Sequence, residues 1–107
     1  MIYSLEQIIN CVKPIAEKYK LPAVYLFGSY ARGDATEDSD IDFLIDRAGS
    51  DIKNLLNFAD FCAALEDVFL KGIDVLTVQQ LEQEGAFDRM PYMIEAISRE
   101  RVSVYGN

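Results

Sequence analysis

Apolar residues recur at helical spacing in two long segments of the chain. The first segment covers residues 5–19 and is preceded by a capping-box pattern formed by Ser4 and Gln7. Pro14 lies inside this segment, so we expect it to kink or divide the helix. The second segment predicts a helix over residues 51–70.

Capping and turn residues predict the ends of further helices. Gly72 fits the position just past the C-terminus of the second long helix. Thr77 and Gln80 form another capping box, which would open a short helix through about residue 84. Pro91 suits the first turn of a last helix.

Short apolar runs between the helices predict buried strands. These runs cover residues 23–27, 41–45 and 73–78. The tail at residues 102–105 predicts either a short edge strand or a segment packed back on the core. The chain shows no internal repeat or linker, so the pattern predicts one α/β domain over residues 1–107.

Composition narrows the classes of function that such a domain can have. Hydrophobic residues make up 50% of the chain, yet no apolar run approaches the ~18 residues of a membrane span. The N-terminus lacks the basic and apolar segments of a signal peptide, which predicts a cytoplasmic protein. The net charge of −8 leaves few cations to neutralise phosphates, so we expect no direct binding of a long nucleic acid. The acidic surface suits either a basic protein partner or simple solubility.

The chain contains no His, which excludes Ser-His and Cys-His nucleophilic mechanisms. Cys11 and Cys62 each fall within a predicted amphipathic helix, where packing is their expected role. Without His or a close pair of Cys residues, a zinc site is not expected. The chemistry must therefore come from carboxylates, hydroxyls, Lys, Arg and backbone groups.

Acidic residues occur at the starts of the second and third predicted strands. Asp40 and Asp42 are two residues apart, so their side chains project from the same face. Their mutual repulsion would be relieved by a divalent cation, and hard oxygen ligands suit magnesium. Asp74 has the corresponding position in the third strand, beside the pair if the two strands are neighbours. Three carboxylates at one end of a sheet can hold the two metal ions used in phosphoryl-type transfer.

Gly28 and Ser29 end the first predicted strand and have the features of a phosphate-binding turn. Gly28 lets the backbone turn sharply and lets a ligand come close to it. Ser29 can cap the next turn or offer its hydroxyl to a phosphate, and a helix start presents free N–H groups to anions. A Gly-Ser turn or an Asp-x-Asp pair is common on its own. Their combination indicates a site for a nucleoside triphosphate with magnesium.

The spacing of these residues resembles that of a known superfamily. Gly28-Ser29, ten intervening residues and Asp40-x-Asp42 resemble the signature of the DNA polymerase beta-like nucleotidyltransferases. The fuller string, with Ala31-Arg32-Gly33 and Ser39-Asp40-Ile41-Asp42, is similar to the minimal nucleotidyltransferase branch. That branch consists of stand-alone domains of about this length. The resemblance covers nearly the whole chain and implies a small mixed β-sheet of three to four strands flanked by helices.

The resemblance also implies how the nucleotide would be bound. Gly28 and Ser29 would bind the triphosphate of ATP, with Arg32 as a further phosphate contact. For Arg32, an exposed position or a salt bridge to Asp34 or Glu37 is an equally good interpretation.

The metal ligands implied by the resemblance are the three carboxylates. Asp40, Asp42 and Asp74 would hold Mg²⁺, with two ions expected. Asp74 would also lie nearest the attacking hydroxyl and help to deprotonate it. Lys71, just before the third strand, is a weaker candidate for contact with the nucleotide.

The acceptor is the part of the reaction on which the residues themselves say least. Larger relatives have a second domain that binds the acceptor, so a chain of 107 residues is expected to use a small acceptor or one supplied by a partner. Minimal domains of this kind resemble antitoxins whose partner is a helical RNase toxin of the HEPN class. In that family AMP is transferred from ATP to a tyrosine of the toxin, within a hetero-oligomer, and silences it. The alternatives are a module that masks its partner by contact alone, and an enzyme that modifies the hydroxyl of a small molecule.

Overall fold

A computed structural model describes residues 1–83 and 91–106 and shows a four-stranded sheet with helices on both faces. In chain order the elements are α1 (Leu5–Lys18), β1 (Ala23–Phe27), α2 (Gly28–Arg32), β2 (Ile41–Asp46), α3 (Leu55–Phe69), β3 (Ile73–Thr77), α4 (Val78–Leu81), α5 (Pro91–Glu100) and β4 (Val102–Gly106).

The sheet has the strand order β3-β2-β1-β4. Strand β1 runs antiparallel to both β2 and β4, whereas β2 and β3 are parallel and are connected through α3. The predicted class, a small mixed sheet flanked by helices, is therefore confirmed. Strand β4 pairs with β1 at one edge, which decides between the two expectations for the C-terminal tail.

Helix α1 begins with the predicted capping box, in which the Ser4 hydroxyl accepts from the Gln7 amide. Of the kink or division expected at Pro14, the division is wrong, because α1 continues through it to Lys18. Pro14 is exposed, so water can reach the backbone carbonyl that loses its helical hydrogen bond there. Buried residues on both sides of the proline hold the helix on the sheet: Ile8, Val12, Ile15 and Ala16.

Helix α3 differs from its prediction at both ends. It begins at Leu55 rather than at residue 51, because the Asn54 side chain accepts from the Asn57 amide and caps the helix there. At its C-terminus the left-handed residue is Leu70, with a φ of 54°, and the expectation that Gly72 follows the helix as its cap is wrong.

The shorter predicted helices and strands are present, but some begin or end at other residues than predicted. Helix α2 begins at Gly28, directly after β1. Strand β3 ends at Thr77 rather than at residue 78, and Thr77 caps α4 through the predicted capping box with Gln80. The predicted extension of the short helix to residue 84 lies outside the described residues. Helix α5 begins at Pro91 as expected.

The core has two parts, one on each face of the sheet. The larger part joins α1 and α3 to the sheet, and Cys11 and Cys62 lie half-buried within those two helices as free thiols. The smaller part contains Phe27, Leu44 and Ile97 on the opposite face. No helix within residues 1–83 and 91–106 is long and apolar enough to cross a membrane.

Candidate active site

The parallel pairing of β2 with β3 brings the predicted carboxylates to one end of the sheet. Asp42 lies directly opposite Asp74 in the register of the two strands, and Asp40 comes just before β2. The sequence predicted that Asp74 lies beside Asp40 and Asp42 if the two strands are neighbours, and β2 and β3 are neighbours. Strand β3 is an edge strand and Asp74 is exposed, so a large acceptor can reach this carboxylate from solvent.

Two glycines make room for two of these carboxylates. A Cβ added to Gly28 would overlap with Asp42 Oδ2, and one added to Gly72 would overlap with Asp40 Oδ1. Gly28 also has a φ of 73°, which residues with a side chain rarely adopt. Both Asp side chains thus lie directly against glycine backbone. The contact of Gly72 with Asp40 depends on the pairing of β2 with β3, and sequence reasoning missed it.

The environment of Asp42 perturbs its titration. The pKa of Asp42 is raised to about 6, and burial of its side chain is the largest cause. The neighbouring Asp74 raises it further, both as a hydrogen-bond partner and through its charge, and the charge of Asp40 adds to the rise. Arg32 opposes this rise through its positive charge. A half-buried carboxylate beside two others is a place where a cation would lower the electrostatic free energy.

The carboxylate oxygens of this site are the donors that a hard divalent cation prefers. Within the described parts of the chain, no three acidic, His or Cys side chains converge closely enough to enclose an ion. The oxygen atoms of Asp42 and Asp74 are the close pair, and oxygen ligands of this kind are those that Mg²⁺ prefers. The assignment of magnesium to these three residues therefore stays a prediction.

The Gly28-Ser29 turn lies beside the carboxylates. Helix α2 begins at Gly28, and its N-cap residue is Phe27, which has no side-chain oxygen to accept from the first helical amides. Such amides can bind an anion. Because Gly28 contacts Asp42, a phosphate on this turn would lie next to the carboxylate pair.

Arg32, the third residue predicted to contact the nucleotide, forms two salt bridges. Its guanidinium lies 3.1 Å from Asp34 and 3.1 Å from Glu100. The salt bridge to Asp34 is one that the sequence analysis considered for Arg32. The salt bridge to Glu100, in α5, could not be identified from the sequence. The positive charge of Arg32 also acts to lower the pKa of Asp42, so Arg32 interacts electrostatically with the carboxylate cluster.

Lys71 is placed by backbone contacts. Its ammonium group donates to the carbonyl oxygens of Glu37, at 2.8 Å, and of Met1, at 3.3 Å. It also lies 5.8 Å from the centre of the Tyr30 ring. Lys71 therefore connects the polar loop before β2 with the start of β3 through its hydrogen bond to Glu37.

A separate cavity lies at the opposite end of the β2–β3 pair. Its volume is about 280 Å³, and Arg47, Lys53 and Thr77 are among its lining residues. It includes none of the predicted site residues.

A comparison with protein families identifies the chain. The sequence profile described as the nucleotidyltransferase domain matches residues 6–104. This chain belongs to the nucleotidyltransferase domain family. The match spans both the Gly28-Ser29 turn and the three carboxylates, and the enzyme class is nucleotidyl transfer.

Curated relatives of this nucleotidyltransferase carry a more specific name. A protein adenylyltransferase of Methanocaldococcus jannaschii is 32% identical over 101 residues, which are 94% of this chain and 98% of that protein. The protein adenylyltransferase MntA of Thermococcus cleftensis is 34% identical over 70 residues, which are 65% of this chain and 69% of that protein.

Solved structures share the fold. A minimal nucleotidyltransferase superimposes with a TM-score of 0.68 and 29% identity, over 94% of this chain and 95% of that one. A toxin–antitoxin with AMP-PNP gives a TM-score of 0.70 and 19% identity, over 92% of this chain and 73% of that one. A tri-AMPylated HEPN toxin of Shewanella oneidensis in complex with its MNT antitoxin gives a TM-score of 0.59 and 17% identity, over 96% of this chain and 70% of that one.

Proposed function

We propose that this nucleotidyltransferase transfers AMP from ATP, with Mg²⁺, to a tyrosine hydroxyl of a HEPN-type toxin and so acts as its antitoxin. The observation that carries the proposal is the pairing of Asp42 with Asp74 across β2 and β3, beside the Gly28 turn. This arrangement offers a metal-binding carboxylate pair and an anion-binding turn within one site.

Magnesium would be held by Asp40, Asp42 and Asp74. When bound, it supplies positive charge to the phosphate oxygens and offsets the repulsion among these carboxylates. Asp42 is the half-buried member, and its raised pKa reflects first its burial and then the proximity of the other two carboxylates. Gly28 and Gly72 give the side chains of Asp42 and Asp40 the space that they occupy.

The triphosphate would be bound by the α2 turn. Backbone amides of Gly28 and Ser29 and the Ser29 hydroxyl would donate hydrogen bonds to the β- and γ-phosphates, which leaves the α-phosphate near the carboxylates. Arg32 would add positive charge on the same side of the site. Catalysis would come mainly from positioning and from charge neutralisation.

The acceptor would enter at the β3 edge. Asp74 is exposed there and would take the proton of the attacking hydroxyl, whose oxygen then bonds to the α-phosphorus as pyrophosphate leaves. An open edge suits an acceptor carried by another protein. This choice of acceptor is supported by the names of the relatives and by the AMPylated HEPN toxin bound to a protein of the same fold.

Intact mass spectrometry of the partner tests the proposal. A HEPN-type protein, as the candidate partner, would be incubated with the enzyme, ATP and Mg²⁺, and the expected result is a mass increase of one or more AMP units. An Asp40→Asn/Asp42→Asn variant should give no increase. Asp46→Asn is the matched control, because Asp46 lies at the other end of the same strand and should leave transfer unchanged.

The same experiment distinguishes the alternative of a non-catalytic antitoxin. A stable complex that blocks the partner's RNase activity without any mass increase would contradict the transferase proposal. An equal mass increase with the double Asn variant would instead contradict the role assigned to the carboxylates.

A further inference from the structure

Leu70 is exposed, and its backbone adopts a conformation that is unfavourable for leucine. It ends α3 in the left-handed region, at a φ of 54°, with 84% of its surface exposed. Glycine or asparagine is the usual residue at such a helix end, because a side chain with a Cβ costs free energy there. An exposed apolar side chain recovers none of that cost by burial within this chain.

Helix α1 ends in a similar way, and the comparison shows what is unusual about Leu70. Lys20 follows that helix with a φ of 58°. A cation near a helix C-terminus interacts favourably with the negative end of the helix dipole, so Lys20 has a local reason to be there. Leucine has no corresponding interaction, which indicates a role outside the isolated fold.

Further exposed apolar residues lie beside Leu70. Met1 is 66% exposed and Ile2 is 50% exposed. The N-terminal segment is fixed here on both sides of Leu70, since the Tyr3 hydroxyl donates to the Phe69 carbonyl at 2.6 Å and Lys71 donates to the Met1 carbonyl. We call Met1, Ile2 and Leu70 the apolar rim.

Exposed acidic residues lie on the chain segments next to the apolar rim. Exposed carboxylates lie on the elements that meet there, namely the first turn of α1, the last turn of α3 and the loop before β2: Glu6, Glu37, Asp38, Glu66 and Asp67. The Lys71 ammonium is engaged with two backbone carbonyls in the middle of this region. The apolar rim is therefore flanked by chain segments that carry exposed acidic residues.

The apolar rim lies near the proposed catalytic carboxylates. Leu70 precedes Gly72, which contacts Asp40, and is four residues from Asp74. At 3.3–3.6 Å per extended residue, the Cα atoms of Leu70 and Asp74 are at most ~14 Å apart. One protein partner can therefore cover the rim while one of its hydroxyls reaches Asp74.

We propose that the apolar rim is the docking surface for the protein acceptor, an inference that rests on the proposed function. The acceptor would present apolar side chains flanked by Lys or Arg, close to the hydroxyl that is modified. The apolar contact with Leu70 would supply affinity, and the surrounding opposite charges would accelerate and orient the encounter.

The Leu70→Gly substitution tests the docking surface without endangering the fold. Leu70→Gly should leave the melting temperature unchanged or raise it, since glycine adopts this φ without strain. The dissociation constant for the HEPN-type protein and its KM in AMP transfer should both rise about tenfold, as expected for losing one buried leucine. Binding of Mg²⁺ with AMP-PNP and the kcat value should not change.

Leu56→Ala is the matched control. Leu56 is 70% exposed and lies at the other end of α3, roughly 20 Å from Leu70 by the rise of the helix. It should leave the dissociation constant and KM unchanged. A Glu66→Gln/Asp67→Asn variant should weaken binding at low salt, with a difference that narrows at high salt.

The outcomes separate the docking surface from the proposed function. Unchanged binding and KM in Leu70→Gly, with transfer intact in the wild type, would overturn the docking surface alone. Binding without any AMP transfer by the wild type would overturn the proposed function, and the binding measurements would still decide the role of Leu70. Neither binding nor transfer would overturn both.

Discussion

The two ends of the parallel β2–β3 pair differ in how their polar groups are satisfied. At the C-terminal end, Asp46 accepts from the Ala48 amide and from the Gln79 side chain. Thr77 likewise caps α4 in a reciprocal pair of hydrogen bonds with Gln80. At the N-terminal end, Asp42 faces Asp74 and lies near Asp40, and its burial together with these two carboxylates raises its pKa.

We interpret this difference as one between residues that stabilise the fold and residues that we propose serve the reaction. The C-terminal end has complementary donors and acceptors, as a structural region requires. The N-terminal end keeps like charges together at a cost in stability, which is understandable where a ligand of opposite charge binds. The four predictions below test this comparison, from the largest expected effect to the smallest.

Replacing the exposed carboxylate should have the largest effect. Asp74→Asn should lower the rate of AMP transfer at least ~100-fold, because it removes both a metal ligand and the proposed proton acceptor. Single-turnover transfer from radiolabelled ATP would measure the change. The carboxylate Asp46, at the opposite end of β2, provides the control, and a loss of rate in Asp46→Asn as large as in Asp74→Asn would break the distinction between the two ends.

Filling the space beside Asp40 should have the next largest effect. In Gly72→Ala the new Cβ overlaps with Asp40 Oδ1, so the carboxylate must move, and transfer should fall about tenfold to 100-fold. Gly49→Ala is the comparison, because a Cβ at Gly49 meets open space in the loop that follows β2. Gly49→Ala should lose about 1 kcal/mol of stability through its positive φ and keep full activity. Equal kinetics for the two variants would remove the role given to Gly72.

Removing a cap at the C-terminal end should change stability without changing chemistry. Thr77→Ala loses the hydroxyl that caps α4 and should lower the free energy of unfolding by about 1–2 kcal/mol. Urea denaturation measures this loss, and kcat for AMP transfer below the unfolding transition should be unchanged. A fall in kcat for Thr77→Ala with unchanged stability would indicate that the C-terminal end of the β2–β3 pair takes part in the reaction.

The smallest effect concerns the pH dependence of stability. The folded-state pKa of Asp42, about 6, is above its ordinary value, so folding favours the protonated form. The stability that this provides is present at pH 4 and is lost as the pH rises through about 6. Asp42→Asn should therefore raise the free energy of unfolding at pH 8 without Mg²⁺ by about 1 kcal/mol, after allowance for solvent screening. Urea denaturation at pH 4 and pH 8 in EDTA measures it, and a variant less stable than the wild type at pH 8 would contradict the expected repulsion.

Features that depend on local sequence were predictable, and this includes most of the candidate site. The apolar run before Gly28-Ser29 fixes a strand and a turn, and the alternation around Asp42 fixes the next strand. The caps at Ser4 and Thr77 are also local patterns, and both form as predicted.

Features that depend on distant contacts were not predictable. Gly72 resembled a helix cap, and its contact with Asp40 exists only because β2 and β3 pair in parallel. The salt bridge of Arg32 to Glu100 joins residues 68 positions apart. Leu70 takes the left-handed conformation that propensity alone assigns to glycine, and no local pattern signals this.

The central claim is that the N-terminal end of the β2–β3 pair is a metal–nucleotide site. Isothermal titration of AMP-PNP into the wild type, Asp42→Asn and Asp46→Asn, each with Mg²⁺ and with EDTA, tests it most directly. We expect binding by the wild type and by Asp46→Asn only when Mg²⁺ is present, and a loss of binding in Asp42→Asn. Magnesium-dependent binding by Asp42→Asn with the affinity of the wild type would contradict the claim.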